Sequence, residues 1–219
     1  YESPPLDPTN YHQNTTGYSM LKYEEFNAAN SAAYTTESRG QAPAIQVRYA
    51  DILLNYAEAL AELDGAGNAS KIQAALNPLR DRVGMPEVDF DREYNTDVDY
   101  PFHNLDKYIQ AVRRERRVEK ALENCRLTDI LRWAAADELI VGKTPTGALY
   151  TGSTLGEHFS GIMTEGSNLW LKDGYIVSFN NTNYPNGWQF NVNRDYLLPI
   201  RQEMVGSLTG GLWEQNRGW

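Results

Sequence analysis

The sequence predicts a mainly α protein made of helical hairpins, with long loops and a few short strands. Apolar residues recur at helical spacing in two regions, residues 45–63 and residues 105–140. Gly65 and Gly67 end the first of these helices, because glycine readily takes positive φ. A helix, a glycine turn and a second helix then span roughly 34 residues, the repeat length of a tetratricopeptide unit. The sequence therefore predicts tetratricopeptide-like hairpins.

The composition divides the chain of 219 residues into three segments. Residues 1–44 are rich in Pro, Asn, Thr, Ser and Tyr and have no lasting period. We expect them to form a loop-rich segment that packs on an absent or adjoining half of the protein. Residues 45–141 carry the helical hairpins. Residues 142–219 combine Gly, Thr, Ser and Asn with recurring aromatics, which predicts a loop-rich aromatic cap and a C-terminal tail.

The first helix is predicted over Ile45–Leu63 from three neighbouring stripes of residues. One stripe is polar and is predicted to face solvent, while the two beside it are apolar and are predicted to be covered by other helices. The polar stripe consists of Arg48, Asp51, Asn55, Glu58 and Glu62. The apolar stripes consist of Tyr49, Ile52, Tyr56, Ala59 and Leu63, and of Ala50, Leu53, Ala57 and Leu60.

A second helix is predicted over Ala69–Arg82, with Gly84 and Pro86 as its stop. Pro78 falls inside this helix and has no backbone N–H to donate. It therefore removes one hydrogen bond to the carbonyl of Ala74, and we expect a kink or a break at this point.

A second helical pair is predicted over Leu105–Val118 and Thr128–Ile140, joined near Asn124. Charged residues interrupt its inward stripe, and an unpaired buried charge would cost several kcal/mol. We therefore predict a structural ion-pair network made of Glu115, Arg116, Glu119, Arg126, Asp129 and Arg132. The alternatives are a solvated charged face and an anion-binding patch.

The overall charge argues against a nucleic-acid partner. The chain has 29 acidic and 20 basic residues, which gives a net charge of -9. Such a charge repels a polyanion, and the arginines of the predicted network are interleaved with glutamates. No run of 18 apolar residues occurs in the sequence, so no segment is predicted to span a membrane.

The aromatic residues of the cap are candidates for sugar binding. Sugars present apolar CH faces that stack on Trp and Tyr rings, while Asn, Asp and Arg bind their hydroxyls. The candidate residues are Trp170, Tyr175, Tyr184 and Trp188. Aromatics of a loop-rich cap also serve as anchors to the core, and this alternative stays open for each residue. Short strands are predicted at Leu169–Leu171, Tyr175–Phe179 and Tyr196–Ile200.

Catalytic and metal chemistry find little support in the sequence. His12, His103 and His158 are scattered, no nucleotide-binding or hydrolase motif occurs, and we predict no catalytic residue, cofactor or metal. The acidic segment Val88–Tyr100 suggests a calcium loop, but Tyr94 stands where the EF-hand pattern requires Gly. Whether calcium binds near residues 89–99 stays open, and a solvated acidic loop is the alternative.

Four stretches of the chain resemble the signatures of one protein family. They are ERRVEKALENCRLTDILRW, VRYADILLNYAEALAEL, ALNPLRDRVGMP, and YLLPIRQEM with the closing WEQNRGW. They resemble, respectively, ERR-x-EL-x-x-EG-x-R-x-x-DL-x-RW, RYAEVLL-x-YAEAL, LN-x-IR-x-RAG-x-P, and Y-LPIP-x-E with QNPGY, which are signatures of the SusD/RagB family. Asn124 stands where the family has the Gly of EG-x-R, and Arg201 stands where it has the second Pro of LPIP.

The resemblance implies the C-terminal portion of a glycan-binding lipoprotein exposed at the bacterial outer membrane. It implies a SusC-like TonB-dependent transporter as partner, and a lipid anchor at an N-terminus that this chain lacks. In the family, glycan contacts come mostly from loops of the N-terminal half, so no ligand residue of the family is transferred to a numbered position here.

Three functional hypotheses follow from the residues and the resemblance. The first is a non-catalytic protein that captures oligosaccharide or polysaccharide at the bacterial surface for uptake through the transporter. The second is a helical-repeat adaptor that binds another protein. The third is a glycan-acting enzyme, for which the sequence isolates no pair of carboxylates.

Overall fold

The computed structural model describes residues 14, 16–18, 20, 22, 45–177, 185–206 and 210–219. The chain forms two compact units. Residues 42–139 make up the first, which we call the helical unit, and residues 1–41 with residues 140–219 make up the second, the loop-rich unit.

The helical unit is built on three longer helices that pack on one another. Its elements are α1 Tyr49–Asp64, α2 Ala69–Asp81, α3 Lys107–Glu119, α4 Arg126–Arg132 and α5 Ala136–Leu139. The fully buried side chains at the centre are Leu54, Ile72, Leu76, Val88 and Val112. These residues come from α1, α2, α3 and the loop after α2, so one apolar core holds the three helices together.

The prediction of the covered α1 face was right for one apolar stripe and wrong for the other: Ala50, Leu53, Ala57 and Leu60 lie in or against the core, but the second stripe does not. Tyr49, Ile52, Tyr56 and Leu63 are exposed, the last to 80 %. Glu58, from the stripe predicted to face solvent, is only 7 % exposed. Glu58 turns inward because its carboxylate pairs with Arg132 of a neighbouring helix, and this pairing compensates its burial, whereas Asn55 and Glu62 of the same stripe are exposed. We call the exposed set Tyr49, Ile52, Tyr56, Ala59 and Leu63 the α1 apolar stripe.

The predicted break at Pro78 is also absent, because α2 continues past it to Asp81. The two residues after Pro78 are both buried. Leu79 belongs to the apolar core, and the guanidinium of Arg80 forms ion pairs with Glu93 and Glu115. These contacts hold the last turn of the helix although Pro78 donates no hydrogen bond.

The predicted helix junction near Asn124 is confirmed. Asn124 has a φ of 56°, and the left-handed region suits asparagine better than most residues. The helix predicted over Thr128–Ile140 is instead two short helices, α4 and α5. Ala134 has a φ of 49°, and the N–H of Ala135 donates to the carbonyl of Ile130 at 3.0 Å, which closes α4 with a Schellman motif.

The loop-rich unit has short elements around a small core. They are α6 Thr154–Phe159, β1 Leu171–Lys172, β2 Tyr175–Ile176 and α7 Gln202–Val205. Its core cluster consists of Phe159, Met163, Leu169 and Ile176. Two of the predicted strands are present in shortened form, and they pair as an antiparallel hairpin.

The third predicted strand, Tyr196–Ile200, is not formed. Side chains from the C-terminal residues, rather than a partner strand, bond its backbone. Gln215 donates to the carbonyl of Ile200 and accepts from its N–H, at 2.7 and 2.8 Å. Trp219 donates its indole N–H to the carbonyl of Leu197 at 2.8 Å. These bonds satisfy the extended segment without a ladder.

Candidate functional site

A hairpin in the loop-rich unit carries two of the aromatic residues predicted to bind sugar. Its strands pair antiparallel with Lys172 opposite Tyr175. The N–H of Val177 donates to the carbonyl of Trp170 at 2.8 Å, which extends the pairing by one step. Because side chains alternate between the two faces of a strand, Trp170 and Tyr175 lie diagonally on the same face.

The other face of the hairpin is fixed in the core. Ile176 is fully buried and packs with Phe159 and Leu169. On the opposite face Tyr175 is 42 % exposed, and Trp170 is partly exposed. The hairpin therefore anchors itself through aliphatic residues and leaves the Tyr175 ring accessible to a ligand.

A neighbouring segment supports the hairpin along its other edge. The N–H of Gly147 donates to the carbonyl of Ile176 at 2.6 Å, and the N–H of Ile176 donates to the carbonyl of Ala148 at 3.0 Å. Leu149 forms a bridge opposite Tyr175. Tyr175 consequently has backbone neighbours on both sides, which fixes the position from which its side chain leaves the surface.

The two remaining candidates are not part of this hairpin. Trp188 exchanges backbone hydrogen bonds with the loop at Gly142 and Lys143, both at 2.9 Å, and its side chain is 44 % exposed. Within the described ranges no ring contact joins Trp188 to Trp170 or Tyr175. Tyr184 lies outside the described residues.

A pocket beside the hairpin was not anticipated from the sequence. It has a volume of about 490 Å³, which lies within the range of small-ligand sites. Leu169 and Leu171 form apolar walls, and Glu157 and Glu165 add carboxylates. Tyr150 also lines it, and the Tyr150 hydroxyl is buried without a hydrogen-bond partner. Burial raises the pKa of Tyr150, so the hydroxyl stays protonated as a donor.

The sequence contains a signal for α6, the short helix that lines part of this pocket. The side chain of Ser153 accepts a hydrogen bond from the N–H of Gly156 at 3.2 Å and so caps α6. A serine followed by Leu155 and Phe159 at a spacing of four marks a short helix. The pocket itself depends on tertiary packing that no local signal indicates.

The acidic segment before α3 uses its carboxylates within the protein. Asp89 accepts the backbone N–H groups of Asp91 and Arg92 at 3.1 and 3.0 Å, which is an Asx turn. The carboxylate of Glu93 forms ion pairs with Arg80 and Arg114. No group of three or more potential metal-binding side chains is assembled among the residues that the structure describes.

The charged residues of α3 and α4 form ion pairs with partners from three helices. Glu115 meets Arg80 of α2 at 2.5 Å, and Glu119 meets Arg48 at 2.6 Å and Arg82 at 2.8 Å. Burial is the largest single effect on the pKa of Glu93 and acts to raise it. The hydrogen bond from Arg80 and the other donors together outweigh burial, so the pKa of Glu93 is lowered. These contacts connect α2 and the residues before α1 to α3.

The remaining ion pairs connect α4 with α1 and α3. Arg116 donates to Asp129 at 2.8 and 2.9 Å, and Arg132 donates to Glu58 at 2.5 and 2.9 Å. The indole N–H of Trp133 also donates to Glu58, at 2.6 Å. Burial alone would raise the pKa of Glu58, but the bonds from Arg132 and Trp133 outweigh it, and that pKa is lowered.

Arg126 differs from the other residues of the predicted network. In the described part of the chain it forms no ion pair, and its guanidinium lies over the ring of Trp133, 5.7 Å from the centroid. One of its terminal nitrogens is buried without a hydrogen-bond partner. The sequence analysis placed Arg126 in the predicted network, but the nearby carboxylate of Asp129 pairs with Arg116 and Arg132 instead.

The fold and these sites define a class of protein. It is a mainly helical protein with tetratricopeptide-like hairpins, in which a separate loop-rich unit presents exposed aromatic side chains and a pocket. The helical unit carries the paired buried charges.

The chain belongs to the SusD family, whose model matches residues 1–219. It is also similar to the solved structure of selenomethionine BT4246, with 26 % sequence identity and a TM-score of 0.54. That similarity covers 83 % of this chain but only 26 % of the other, so the chain spans about a quarter of the length of that relative. No curated protein matches the chain.

Membership of the family has general consequences. Proteins of the SusD family bind glycans in nutrient uptake, are generally non-catalytic and are associated with the outer membrane at the cell surface. The resemblance drawn from the four sequence motifs is therefore confirmed. No helix among the described residues is long and apolar enough to cross a membrane.

Proposed function

We propose that this chain is part of a non-catalytic protein that captures oligosaccharide or polysaccharide at the bacterial surface. The observation that carries the proposal is the hairpin face with Trp170 and the half-exposed Tyr175. A sugar ring can stack on these aromatics. The pocket is a separate subsite, because Leu169 and Leu171 of its wall lie on the opposite face of the hairpin, and its Glu157 and Glu165 carboxylates can accept hydrogen bonds from another sugar unit of an oligosaccharide. Family membership supports the same role.

The finer parts of the proposal come from the family resemblance. The full-length protein would be held at the outer membrane by an N-terminal lipid anchor. It would pass its glycan to a SusC-like TonB-dependent transporter. Glycan contacts from other parts of the full-length protein would add to those of this chain, because the chain spans 26 % of its structural relative.

The test is glycan binding by the chain and by the full-length protein, measured by affinity electrophoresis and calorimetry on a panel of polysaccharides. We expect Tyr175→Ala to weaken binding by about tenfold, since an aromatic contact with its buried area contributes roughly 1–2 kcal/mol. Trp170→Ala and Trp188→Ala are measured alongside. Tyr56→Ala in the helical unit is the matched control, because Tyr56 is 51 % exposed.

Two outcomes would overturn the proposal. One is the absence of binding to every glycan by the full-length protein. The other is an equal loss of affinity in Tyr175→Ala and Tyr56→Ala, which would show that the hairpin face has no specific role. Release of reducing ends during prolonged incubation would instead indicate a glycan-acting enzyme.

A protein-binding adaptor is the second candidate, and the α1 apolar stripe favours it. Such a stripe requires a cover, because repeat units bury their apolar faces against neighbours. Under the leading proposal the cover is a further helical hairpin of the full-length protein, since the related chain is about three times as long. Tyr56→Glu in the full-length protein then lowers stability and leaves glycan binding intact. Unchanged stability with loss of tight peptide capture would favour the adaptor.

A further inference from the structure

Four arginines surround one pocket in the helical unit. They are Arg113, Arg114 and Arg117 of α3 and Arg126 at the start of α4. Residues 100–102 and Gln110 complete the walls, and none of the described residues that line the pocket carries a carboxylate. Four like charges at such short range repel one another unless an anion lies among them.

Two of the four arginines have carboxylate partners. These contacts use only some of the N–H donors of each guanidinium. Arg114 donates to Glu93 and lies 3.7 Å from Glu115, and both of these carboxylates are shared with Arg80. Arg113 reaches Glu62 at 3.5 Å, a weak contact with a side chain that is 49 % exposed. The Arg113 guanidinium is otherwise held between the rings of Phe102 and Trp133, at 4.7 and 4.6 Å from their centroids.

The other two arginines have no carboxylate partner among the described residues. Arg117 is exposed at the edge of the pocket, and Arg126 is partly buried over Trp133. Buried nitrogens without hydrogen-bond partners remain on both Arg113 and Arg126. Burial lowers the pKa of Arg126, and repulsion from Arg117 lowers it further. A buried donor without a partner keeps the full cost of its desolvation.

The contrast with the rest of the unit is informative. Arg80 and Arg116 are also buried, but each has a carboxylate between 2.5 and 2.9 Å away. The same fold therefore satisfies its other buried guanidiniums with its own carboxylates. Only around this pocket, within the described residues, do clustered guanidiniums outnumber the carboxylates that reach them.

We propose that this pocket binds a small oxyanion, namely a carboxylate or sulfate group. Its volume of about 40 Å³ accommodates about three water molecules or one such group, but not a sugar ring. Guanidinium forks match the planar carboxylate and the sulfate edge, and such bonds are the stronger kind. The group is either a free anion or the acidic substituent of a sugar acid. This inference does not depend on glycan binding by the hairpin face.

The experiment uses calorimetry on the full chain in a low-chloride buffer at fixed ionic strength. The probes are sodium sulfate and sodium glucuronate, with glucose as the uncharged comparison. We expect saturable binding of one anion per chain and no binding of glucose at this site. Arg117→Gln and Arg126→Gln should each weaken binding by about tenfold or more, because each removes a charge-assisted hydrogen bond. Arg92→Gln makes the same charge change outside the pocket and should leave affinity unchanged.

The outcomes of this experiment distinguish a free anion from a sugar acid and show which results contradict the proposal. Binding of sulfate alone identifies a free inorganic anion as the ligand, and binding of glucuronate identifies a sugar acid. Arg117 is exposed, so Arg117→Gln decides the matter if Arg126→Gln does not fold. The proposal is wrong if the unmodified chain binds neither anion, or if Arg117→Gln and Arg92→Gln have equal affinity. Glycan binding at the hairpin face is tested separately. Neither of these two outcomes changes the expected loss of neutral-glycan binding in Tyr175→Ala.

Discussion

The Nε of Arg116 donates to both carboxylate oxygens of Asp129, at 2.8 and 2.9 Å, and both residues are buried. Asp129 also accepts from Arg132 at 3.1 Å, and Arg132 in turn reaches Glu58 of α1. This pair therefore connects α3 with α4 and, through one more residue, with α1. Removing one partner from such a connection leaves the other charge buried without compensation.

Loss of Asp129 should destabilise the helical unit strongly. We expect Asp129→Asn to lower the free energy of unfolding by about 3–5 kcal/mol, because Arg116 keeps its charge and loses its carboxylate. Urea denaturation followed by circular dichroism measures the change. Asp81→Asn at an exposed position of α2 is the control and should stay within about 0.5 kcal/mol of the unmodified chain. Equal effects of the two substitutions would contradict a structural role for the pair.

Acidic pH should weaken the same unit through Glu58. Its pKa in the folded state lies below the ordinary value of 4.5, so the folded state binds fewer protons than the unfolded state. The stabilisation is therefore complete above pH 4.5 and is lost as the pH falls toward the folded-state pKa. Urea denaturation between pH 7 and pH 3 should show this loss, and Glu58→Gln should reduce it. The assignment to Glu58 is disproved if the free energy of unfolding depends on pH as steeply in Glu58→Gln as in the unmodified chain. It is also disproved if the exposed variant Glu87→Gln reduces this dependence equally.

The two faces of α1 should respond differently to the same substitution. Leu54 is fully buried, and Leu54→Ala should cost about 2–5 kcal/mol of unfolding free energy. Leu63 is 80 % exposed on the α1 apolar stripe, and Leu63→Ala should change the chain by no more than about 0.5 kcal/mol. The comparison in urea tests the observed orientation of the helix. A larger loss in Leu63→Ala would reverse the assignment of the faces.

The segment that supports the hairpin should tolerate no side chain at Gly147. A Cβ there would overlap the carbonyl oxygen of Thr16, whose backbone also accepts from the N–H of Ala148 at 2.8 Å. Gly147→Ala should therefore cost about 1–3 kcal/mol and weaken glycan binding through the displaced hairpin. Gly161→Ala has free space around the added atom and serves as the control. Full stability of Gly147→Ala would show that the Thr16 contact is not maintained in solution.

Local features of the sequence were sufficient to predict the three longer helices, α1, α2 and α3. Gly84 has a φ of 69° and ends α2 by the expected positive-φ turn, with the N–H of Met85 bonded to the carbonyl of Arg80 at 3.0 Å. Asn124 tolerates the conformation for which the family uses glycine. These positions are decided by the backbone preferences of single residues. For this reason no knowledge of the packing was required.

The candidate site was only partly predictable. Tyr175 and Trp170 were named from their residue types, and a short strand was predicted at each of them, but the pairing of these strands as a hairpin was not predicted. The pocket lined by Tyr150 and Glu165 gave no such signal, because it forms only when the turn before α6, α6 itself and β1 fold together within residues 150–171. Trp188 was expected beside the same platform, but its backbone is bonded to the loop at Gly142 instead.

The sequence by itself determined the family, the helical hairpins and the need of the interior charges for partners, since motifs, periodicity and the cost of burying a charge are local properties. Only the tertiary structure decided that Glu58 of the polar stripe turns inward to pair with Arg132, and that the α1 apolar stripe faces outward. Which carboxylate pairs with which arginine depends on the residues that the fold brings together. The same reason left Arg126 without a carboxylate and gathered four arginines around one pocket.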